Sequence, residues 1–216
     1  MVRKPPSQDI EAILSAADPQ LGRLIKRVVA QAGIQRPERG CASSFEALTR
    51  SIISQQLSVK AAASIYRKFG AAISNQIVPE KVKKLSPARL RKLGLSRSKA
   101  RYLHNLADWF SVHGRTLEQE GLSDDDHIAL LTAISGIGVW TVQMFLMFHL
   151  KRPNILPTGD LGIQRGVQFL YGFKKTVAPR TIQQKAVLWH PYRSIACLYL
   201  WRAFDLGIHK TFAEDA

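Results

Sequence analysis

Apolar residues recur along the chain at the three- and four-residue spacing of a single helix face. The first thirty residues already show it, at Ile10, Ile13, Leu14, Leu21, Leu24, Ile25, Val28 and Val29. Apolar and polar residues seldom alternate strictly over the length of a β-strand, which is the pattern a half-buried strand requires. The pattern therefore predicts an all-α protein.

Capping residues, prolines and glycines divide the pattern into about ten short helices. We expect helices from about residue 19, from Ser44 to about Leu57, from Ser58 to Gly70, from Ser86 to Gly94, from Ser96 to about Val112, and over 128–133, 139–150, 161–171, 180–188 and 193–205. Short helices with brief connections favour two packed helical subdomains with a cleft between them over one long bundle. We place the first subdomain at about 1–35 plus the C-terminal part of the chain and the second at about 45–150, within a single 1–216 domain.

Composition excludes several classes of protein. A chain of 216 residues with 46% hydrophobic residues can bury a core, which excludes a disordered protein. No apolar segment follows Met1 to Pro6, and no run is long enough to span a membrane, so we expect a soluble intracellular protein. The only cysteines, Cys41 and Cys197, are too few for a disulfide framework, a four-thiolate zinc site or an iron–sulfur cluster.

The charge points to a polyanionic partner. Lysine and arginine number 31 against 16 acidic residues, a formal net charge of +15, which favours nucleic acid. Nine basic residues and no acidic one lie in the stretch 81–101. A solvated helix face usually carries both signs, so we favour a phosphate-tracking surface here, with an ordinary solvated face as the alternative.

Asp160 is the only carboxylate between Asp126 and Asp205, a stretch of 78 residues that holds nine basic ones. It follows Pro157-Thr158-Gly159, where aspartate is a favourable helix N-cap that stabilises by about 1 kcal/mol. A lone carboxylate can also stabilise a cation that develops on a substrate, or orient a water for attack. The sequence leaves both interpretations open, and they are compatible.

A glycine hairpin precedes Asp160. Gly136 and Gly138 lie between two helical patterns, in Ile134-Ser135-Gly136-Ile137-Gly138-Val139-Trp140-Thr141. Glycine permits positive φ and lets a phosphate approach the backbone, and the N–H groups that open the next helix attract an anion. The hairpin, the Pro-Gly loop and Asp160, in this order, resemble the helix-hairpin-helix DNA glycosylase superfamily, in which an essential aspartate follows the hairpin.

Five motifs in the family's order, from about residue 45 to 205, resemble its alkylpurine branch, the 3-methyladenine DNA glycosylase II type. They are Ile52-Ile53-Ser54-Gln55-Gln56-Leu57-Ser58, Gly94-Leu95-Ser96-Arg97-Ser98-Lys99-Ala100-Arg101-Tyr102-Leu103, Gly136-Ile137-Gly138-Val139-Trp140-Thr141, Leu156-Pro157-Thr158-Gly159-Asp160-Leu161-Gly162 and Trp189-His190-Pro191-Tyr192-Arg193-Ser194. Relatives with lyase activity carry a lysine nucleophile where this chain has Trp140, so the resemblance implies a monofunctional glycosylase.

The resemblance also implies roles for individual residues. Asp160 would be the catalytic carboxylate, and Trp140, Tyr192 and Met144 would line the pocket for the flipped base. A buried core position is the alternative for Trp140 and Tyr192. The space left in the duplex would be filled from the segment Gln55, Gln56, Leu57 and Ser58, unless Leu57 is an ordinary core residue at a helix end. The residues that would bind DNA phosphates are Gly136, Gly138, Thr141, Arg97, Lys99 and Arg101.

We expect no catalytic cofactor. The resemblance implies at most a monovalent cation, Na⁺ or K⁺, held at the hairpin by the backbone carbonyls of Thr132, Ile134 and Ile137. The expected function is removal of alkylated purines, 3-methyladenine and 7-methylguanine, from double-stranded DNA by base flipping and hydrolysis, the first step of base excision repair. We expect a monomer located with the genome, in the nucleus if the cell is eukaryotic. The alternative is a glycosylase-fold protein with weak or no activity that binds distorted or branched DNA.

Overall fold

The computed structural model describes residues 7–37, 41–118 and 121–212. Residues 1–6, on which the expected lack of a signal peptide partly depends, lie outside these ranges. Within the described ranges the chain is helical and contains no β-strand, which confirms the predicted all-α class. The α-helices are, in chain order, α1 (Ser7–Ala17), α2 (Pro19–Ala32), α3 (Ser44–Ser54), α4 (Val59–Ala72), α5 (Pro79–Lys83), α6 (Pro87–Lys92), α7 (Arg97–His113), α8 (Asp124–Thr132), α9 (Val139–Met144), α10 (Leu161–Leu170), α11 (Pro179–Lys185) and α12 (Arg193–Asp205).

The chain forms two compact units. One comprises Met1–Glu38 and Lys151–Ala216, and the other comprises Arg39–Leu150. The first unit contains α1, α2 and α10 to α12, with 3₁₀ turns at Ala186–Trp189 and Ile208–Lys210. The second contains α3 to α9, a 3₁₀ turn at Gly114–Glu118, and a π-helix, Phe145–His149, that continues α9.

Capping side chains start several helices where the sequence predicts a start. The Asp18 carboxylate accepts the Gln20 and Leu21 N–H groups at the start of α2, each at 3.1 Å. The Ser96 hydroxyl accepts the Lys99 N–H at the start of α7, at 3.2 Å. These side chains satisfy backbone donors that have no partner within the helix, which is why the sequence alone locates these helix starts.

Three helix predictions need correction. Helix α3 ends at Ser54 instead of near Leu57, because Gln55 leaves the helical conformation with ψ 129° and Gln56 follows in a left-handed one, φ 56°. Helix α8 begins at Asp124 under the cap of Ser123, before the predicted start at residue 128, so three aspartates form its first turn. Helices α1 and α5 are absent from the predicted set, and the five residues of α5 are too few to show a helical period.

Each unit has its own buried core. In the second unit α7 packs against α3, α5 and α6 and buries Leu103 and Leu106 completely. In the first unit α12 packs against α2 and α10. Gly166 of α10 allows a close approach there, because a Cβ at this position would lie 2.9 Å from Leu200 Cβ.

A buried carboxylate joins distant parts of the first unit. Asp18 is only 2% exposed, and its Oδ2 accepts hydrogen bonds from the Tyr171 hydroxyl and, at 2.9 Å, from the fully buried Trp189 indole N–H. Burial, followed by the hydrogen bond to Asp18, raises the pKa of Tyr171, which keeps its hydroxyl protonated as a donor. The network ties α2 to the segments on either side of α11.

We expect Tyr171→Phe to lower the free energy of unfolding by about 1.5–3 kcal/mol, the usual contribution of a hydrogen bond to a charged group. The ring itself is kept, and with it the contact to the Lys185 ammonium, 4.5 Å from the Tyr171 ring centroid. Thermal unfolding followed by circular dichroism measures the loss, and Tyr66→Phe, which removes a hydroxyl that donates to Glu46 in the second unit, gives a comparison. A change below about 0.5 kcal/mol would show that the Asp18 network contributes little.

Candidate functional site

Asp160 lies half-buried at the start of α10, in the first unit. Its Oδ1 accepts the Ile163 N–H at 2.9 Å, which makes the residue the N-cap of α10. The same oxygen accepts the Trp201 indole N–H at 2.9 Å. The capping interpretation is therefore correct, and the second donor fixes the orientation of the carboxylate beyond what a cap alone requires.

One face of α12 supports the loop that leads to Asp160. Ser194 is 1% exposed, and its hydroxyl accepts the Ile155 N–H at 2.9 Å and donates to the Arg152 carbonyl at 2.7 Å. Cys197 lies one turn further along α12. Burial, followed by the negative charge of Asp160, raises the pKa of its thiol. Trp201 follows four residues later. Ser194, Cys197 and Trp201 thus recur at helical spacing beneath the carboxylate and its loop.

Trp201 is a residue of this site that the sequence reasoning missed. A Cβ at Gly162 would lie 2.8 Å from the Trp201 indole nitrogen and 2.9 Å from Asp160 Oδ1. Glycine at this position therefore makes room for the indole to reach the carboxylate. A glycine two residues after the isolated aspartate was the available sequence signal, but it does not identify which large side chain occupies the space.

Tyr192 belongs to the same unit as Asp160. It stands half-buried at the residue before α12, and its carbonyl accepts the N–H groups of Ile195 and Ala196. Its own N–H donates to the Trp189 carbonyl at 2.6 Å. The backbone of Tyr192 is thus fixed at the start of α12, and the residue is only partly buried.

The glycine hairpin lies in the second unit, and its two glycines differ. Gly136 has φ 101°, and a Cβ there would lie 2.2 Å from Cγ of the Tyr102 ring. Gly138 has φ −98°, begins α9 as its N-cap, and has nothing within 4 Å of an added Cβ. The fold therefore requires glycine at Gly136 but not at Gly138.

The residues after the hairpin divide between surface and interior. Trp140 is 48% exposed, so the interpretation as a buried core indole is wrong. Met144, the last residue of α9, is half-buried, whereas Thr141 is only 4% exposed. The Thr141 side chain thus belongs to the interior, and its backbone N–H lies in the first turn of α9.

The segment Gln55–Ser58 forms a tight turn between α3 and α4. Gln56 has φ 56°, and Leu57 is 39% exposed, so Leu57 is not an ordinary core residue. The Gln55 side-chain amide donates to the Gly136 carbonyl at 3.0 Å. The structure therefore brings this turn and the glycine hairpin together within the second unit.

The basic residues of 81–101 separate into exposed and engaged groups. Arg97 and Arg101 are exposed. Lys99 is half-buried, and its ammonium donates to the backbone carbonyls of Ile53 at 2.8 Å and Gln55 at 2.5 Å. Lys81 donates to the Ile73 carbonyl at 3.3 Å, so its charge too is directed to the backbone. Some basic residues of this stretch are therefore exposed to solvent, whereas others are hydrogen-bonded to the backbone.

The proposed cation ligands at the hairpin are backbone carbonyls. The Ile134 carbonyl already accepts the Ile137 N–H at 3.0 Å, whereas the loop and turn hydrogen bonds of the described residues include none to the Thr132 or Ile137 carbonyl. Oxygen atoms of this kind suit a hard monovalent cation. Elsewhere in the described ranges no group of three or more His, Cys, Asp or Glu side chains is placed to bind a metal, and no helix has the length and apolar composition to cross a membrane.

Comparison with known proteins agrees with this architecture. The model of the HhH-GPD superfamily of base excision DNA repair proteins matches residues 49–191. DNA-3-methyladenine glycosylase 1 of Schizosaccharomyces pombe is 33% identical over 204 residues, which cover 91% of this chain and 87% of that protein.

Solved structures give the same result. The DNA-3-methyladenine glycosidase of Bacillus halodurans superposes with a TM-score of 0.79 at 35% identity, covering 98% of this chain and 93% of that one. The 3-methyladenine DNA glycosylase Mag1 of S. pombe, in complex with abasic DNA, also gives 0.79, at 30% identity, covering 91% of this chain and 97% of that one. The resemblance carried by the five motifs is thereby confirmed, and the chain belongs to the HhH-GPD superfamily of base excision DNA repair proteins, in its alkylpurine glycosylase branch.

Proposed function

We propose that this protein is a monofunctional DNA glycosylase that hydrolyses the N-glycosidic bond of 3-methyladenine and 7-methylguanine in duplex DNA, the first step of base excision repair. The observation that carries the proposal is the isolated carboxylate of Asp160. It is the one acidic residue in 78, and the Trp201 indole and the Ile163 N–H hold one of its oxygens.

Asp160 acts on the sugar. As the bond from C1′ to the purine nitrogen breaks, the sugar gains oxocarbenium character, and a nearby carboxylate stabilises that positive charge. Water then adds to C1′ as hydroxide, with its proton passing to the carboxylate and on to solvent. The purine enters the reaction as a cation and leaves neutral, so little general-acid assistance is needed. This explains how one carboxylate without a partner acid suffices.

Trp140, Tyr192 and Met144 bind the flipped base. Trp140 is 48% exposed and so offers surface for a base to stack on, and a cationic purine on an electron-rich ring gains about 0.5–2 kcal/mol. Tyr192, which is partly buried, supplies a second aromatic ring. Met144, flexible and polarisable, adapts its shape to the base and so favours a broad over a narrow range of lesions.

The turn Gln55–Ser58 fills the space that the flipped base leaves. Unstacking a base costs a few kcal/mol, and an inserted side chain offsets part of that cost. Leu57 is a large hydrophobic side chain that the fold leaves 39% exposed, and Gln56 beside it is exposed as well. Gln55 and Ser58 flank them and shape the turn.

The hairpin and two arginines hold the DNA backbone. The N–H groups around Gly136, Gly138 and Thr141 can bind a phosphate at the start of α9, and the open space beside Gly138 allows close approach. Arg97 and Arg101 add exposed positive charge. The carbonyls of Thr132, Ile134 and Ile137 would hold Na⁺ or K⁺, whose positive charge would strengthen phosphate binding at the hairpin.

Wild-type protein is expected to release 3-methyladenine and 7-methylguanine from randomly methylated duplex DNA. Chromatography of the freed bases in a single-turnover assay detects them, and gel analysis should show no strand cleavage until the abasic sites are treated with alkali. Cleavage without alkali would contradict the monofunctional mechanism.

Binding measurements serve as the control for the same preparation. If the protein binds bent or four-way junction DNA tightly but releases no methylated base, it is a DNA-binding protein on a glycosylase scaffold. In that case the proposed hydrolysis is wrong, while the phosphate-binding role of the hairpin remains.

A further inference from the structure

Lys99 stands where a cation is not expected. It lies in the first turn of α7, where its N–H donates to the capping Ser96 hydroxyl at 3.2 Å. The positive end of the helix dipole is found in this turn, so a cation there is disfavoured. Burial also lowers the pKa of Lys99, which again disfavours the charge. A compensating interaction must therefore stabilise the ammonium.

The compensation comes from the end of another helix. The Lys99 ammonium donates to the carbonyls of Ile53 and Gln55, at 2.8 and 2.5 Å, where α3 ends. The last carbonyls of a helix have no partner within it, and they form the negative end of its dipole. The lysine thus satisfies groups that would otherwise require water, and it holds the end of α3 on the first turn of α7.

The turn that connects α3 to α4 depends on this contact. Gln56 has φ 56°, a conformation that residues with a Cβ seldom adopt, so the surrounding contacts must stabilise it. The Lys99 ammonium engages the carbonyl of Gln55, the residue immediately before it. Through this contact Lys99 determines where Gln56 and the 39% exposed Leu57 stand.

The same edge of α7 supports the glycine hairpin. Tyr102 lies three residues after Lys99, on the same side of the helix, and its ring occupies the space beneath Gly136. The Gln55 side-chain amide then donates to the Gly136 carbonyl at 3.0 Å. Lys99 and Tyr102 therefore fix the turn and the hairpin against one helix, and Gln55 links the two directly.

We infer that Lys99 is a positioning residue: its ammonium, bound to the Ile53 and Gln55 carbonyls, holds the Gln55–Ser58 turn in register with the hairpin for insertion into DNA, and does not serve as a phosphate contact. The inference rests on the proposed function, because insertion matters only if a base is opened. It departs from the phosphate role that the sequence suggests for Lys99.

The test compares Lys99→Met with Arg97→Met in the full chain. The probe is a duplex with one 7-methylguanine beside a 2-aminopurine, whose fluorescence rises when the base stack opens. Three quantities are measured: the dependence of binding on salt with an unmethylated duplex, the fluorescence rise, and the single-turnover rate of base release at saturating protein. Lys81→Met is the matched control, since Lys81 also donates to a backbone carbonyl, that of Ile73, which belongs to neither the turn nor the hairpin.

Lys99→Met should reduce the fluorescence rise and slow base release by about ten- to a hundredfold, the effect of a misplacement of about 1 Å. Its slope of log K against log salt should match wild type, whereas Arg97→Met should lower the slope by about 1. Lys99→Arg, which keeps a cation able to reach carbonyls, should restore most of the rate. Lys81→Met should behave as wild type. If Lys99→Met unfolds, Lys99→Arg and Gln55→Ala are compared instead. Lys99→Arg should keep most of the rate, and Gln55→Ala, which removes only the side-chain amide bound to the Gly136 carbonyl, should show an intermediate loss.

A slope for Lys99→Met that falls as in Arg97→Met would overturn the inference, because the ammonium would then bind a phosphate. Unchanged base opening in this variant would overturn it as well. The fluorescence separates the two proposals. If wild type opens the stack but releases no base, the proposed hydrolysis is wrong, and the role of Lys99 is then tested by the fluorescence rise alone. If wild type neither opens the stack nor releases a base, both are wrong.

Discussion

Replacing Asp160 with asparagine is expected to lower the single-turnover rate of base release by at least about a hundredfold, while duplex binding remains. Removing one preorganised electrostatic contact to a transition state commonly costs about 10²–10³ in rate. Here the lost contact is the only carboxylate available in a long basic stretch. Binding should stay equal or improve, because a negative charge is removed from a protein that binds a polyanion.

The fold of this variant should be preserved for a specific reason. Asparagine is as good an N-cap as aspartate, so its side-chain oxygen can still accept the Ile163 N–H. The Trp201 indole can donate to the same oxygen. Only the formal charge changes, and we expect a loss of stability of about 1 kcal/mol or less. Asp160→Ala is a poorer test, since it removes the cap together with the charge.

The measurement is base release from methylated duplex, with binding and thermal unfolding determined on the same preparation. Asp205→Asn is the matched control, because it makes the same change in charge and shape within the same unit, at an exposed side chain 3.7 Å from Arg202. It should release bases at the wild-type rate. Undiminished release by Asp160→Asn would refute the catalytic role of the carboxylate.

The second large effect is expected at the hairpin, where Gly136→Ala should destabilise the protein by about 2–5 kcal/mol, from two costs. A Cβ at φ 101° costs about 1–2 kcal/mol, and overpacking costs about 1–3 kcal/mol more. The clash is severe because the new atom would lie 2.2 Å from Tyr102 Cγ, close to the backbone of α7, and the ring cannot swing away at that point.

Gly138→Ala is the matched control two residues away. The backbone at Gly138 suits alanine, φ −98°, and an added Cβ meets nothing within 4 Å, so we expect a loss of at most about 1 kcal/mol, from the weaker N-cap. Its affinity for DNA should fall nevertheless, since a methyl group would stand where a phosphate approaches. Thermal unfolding and duplex binding, measured for both variants, test whether Gly136→Ala lowers stability and Gly138→Ala lowers mainly the affinity for DNA. Equal stability of the two would show that Tyr102 does not constrain the hairpin.

Much of the architecture could be predicted from local patterns. Apolar spacing determined the all-α class, and Asp18 and Ser96 cap helices at the two starts predicted near residue 19 and at Ser96. The course of the chain through Gln56 could not be predicted in this way, because a left-handed conformation at glutamine carries no local signature. Helix α5 was not predicted for a similar reason, because it is too short to show a helical period of apolar residues.

The same distinction between local pattern and tertiary contact applies to the candidate site. Asp160 stood out in the sequence by its charge context and the hairpin by its glycines, whereas the segment Gln55–Ser58 was implied by the resemblance to the glycosylase family. The partners that define their geometry were not. Trp201 is 41 residues from Asp160, and Gly136 is 81 residues from the Gln55 amide that binds its carbonyl.

Lys99 shows the difference most clearly. In the sequence it is one of nine basic residues without an acidic neighbour, and nothing distinguishes it from Arg97 or Arg101. The tertiary structure places its ammonium on carbonyls 46 and 44 residues away, and leaves the two arginines exposed. Caps, helical periods and net charge act within a few residues or over the whole surface, so the sequence by itself determined helices, a basic surface and one isolated carboxylate. Hydrogen bonds and steric fit act at contact distance between residues remote in sequence, so only the tertiary structure decided what holds Asp160, why Gly136 must be glycine and which lysine supports the turn.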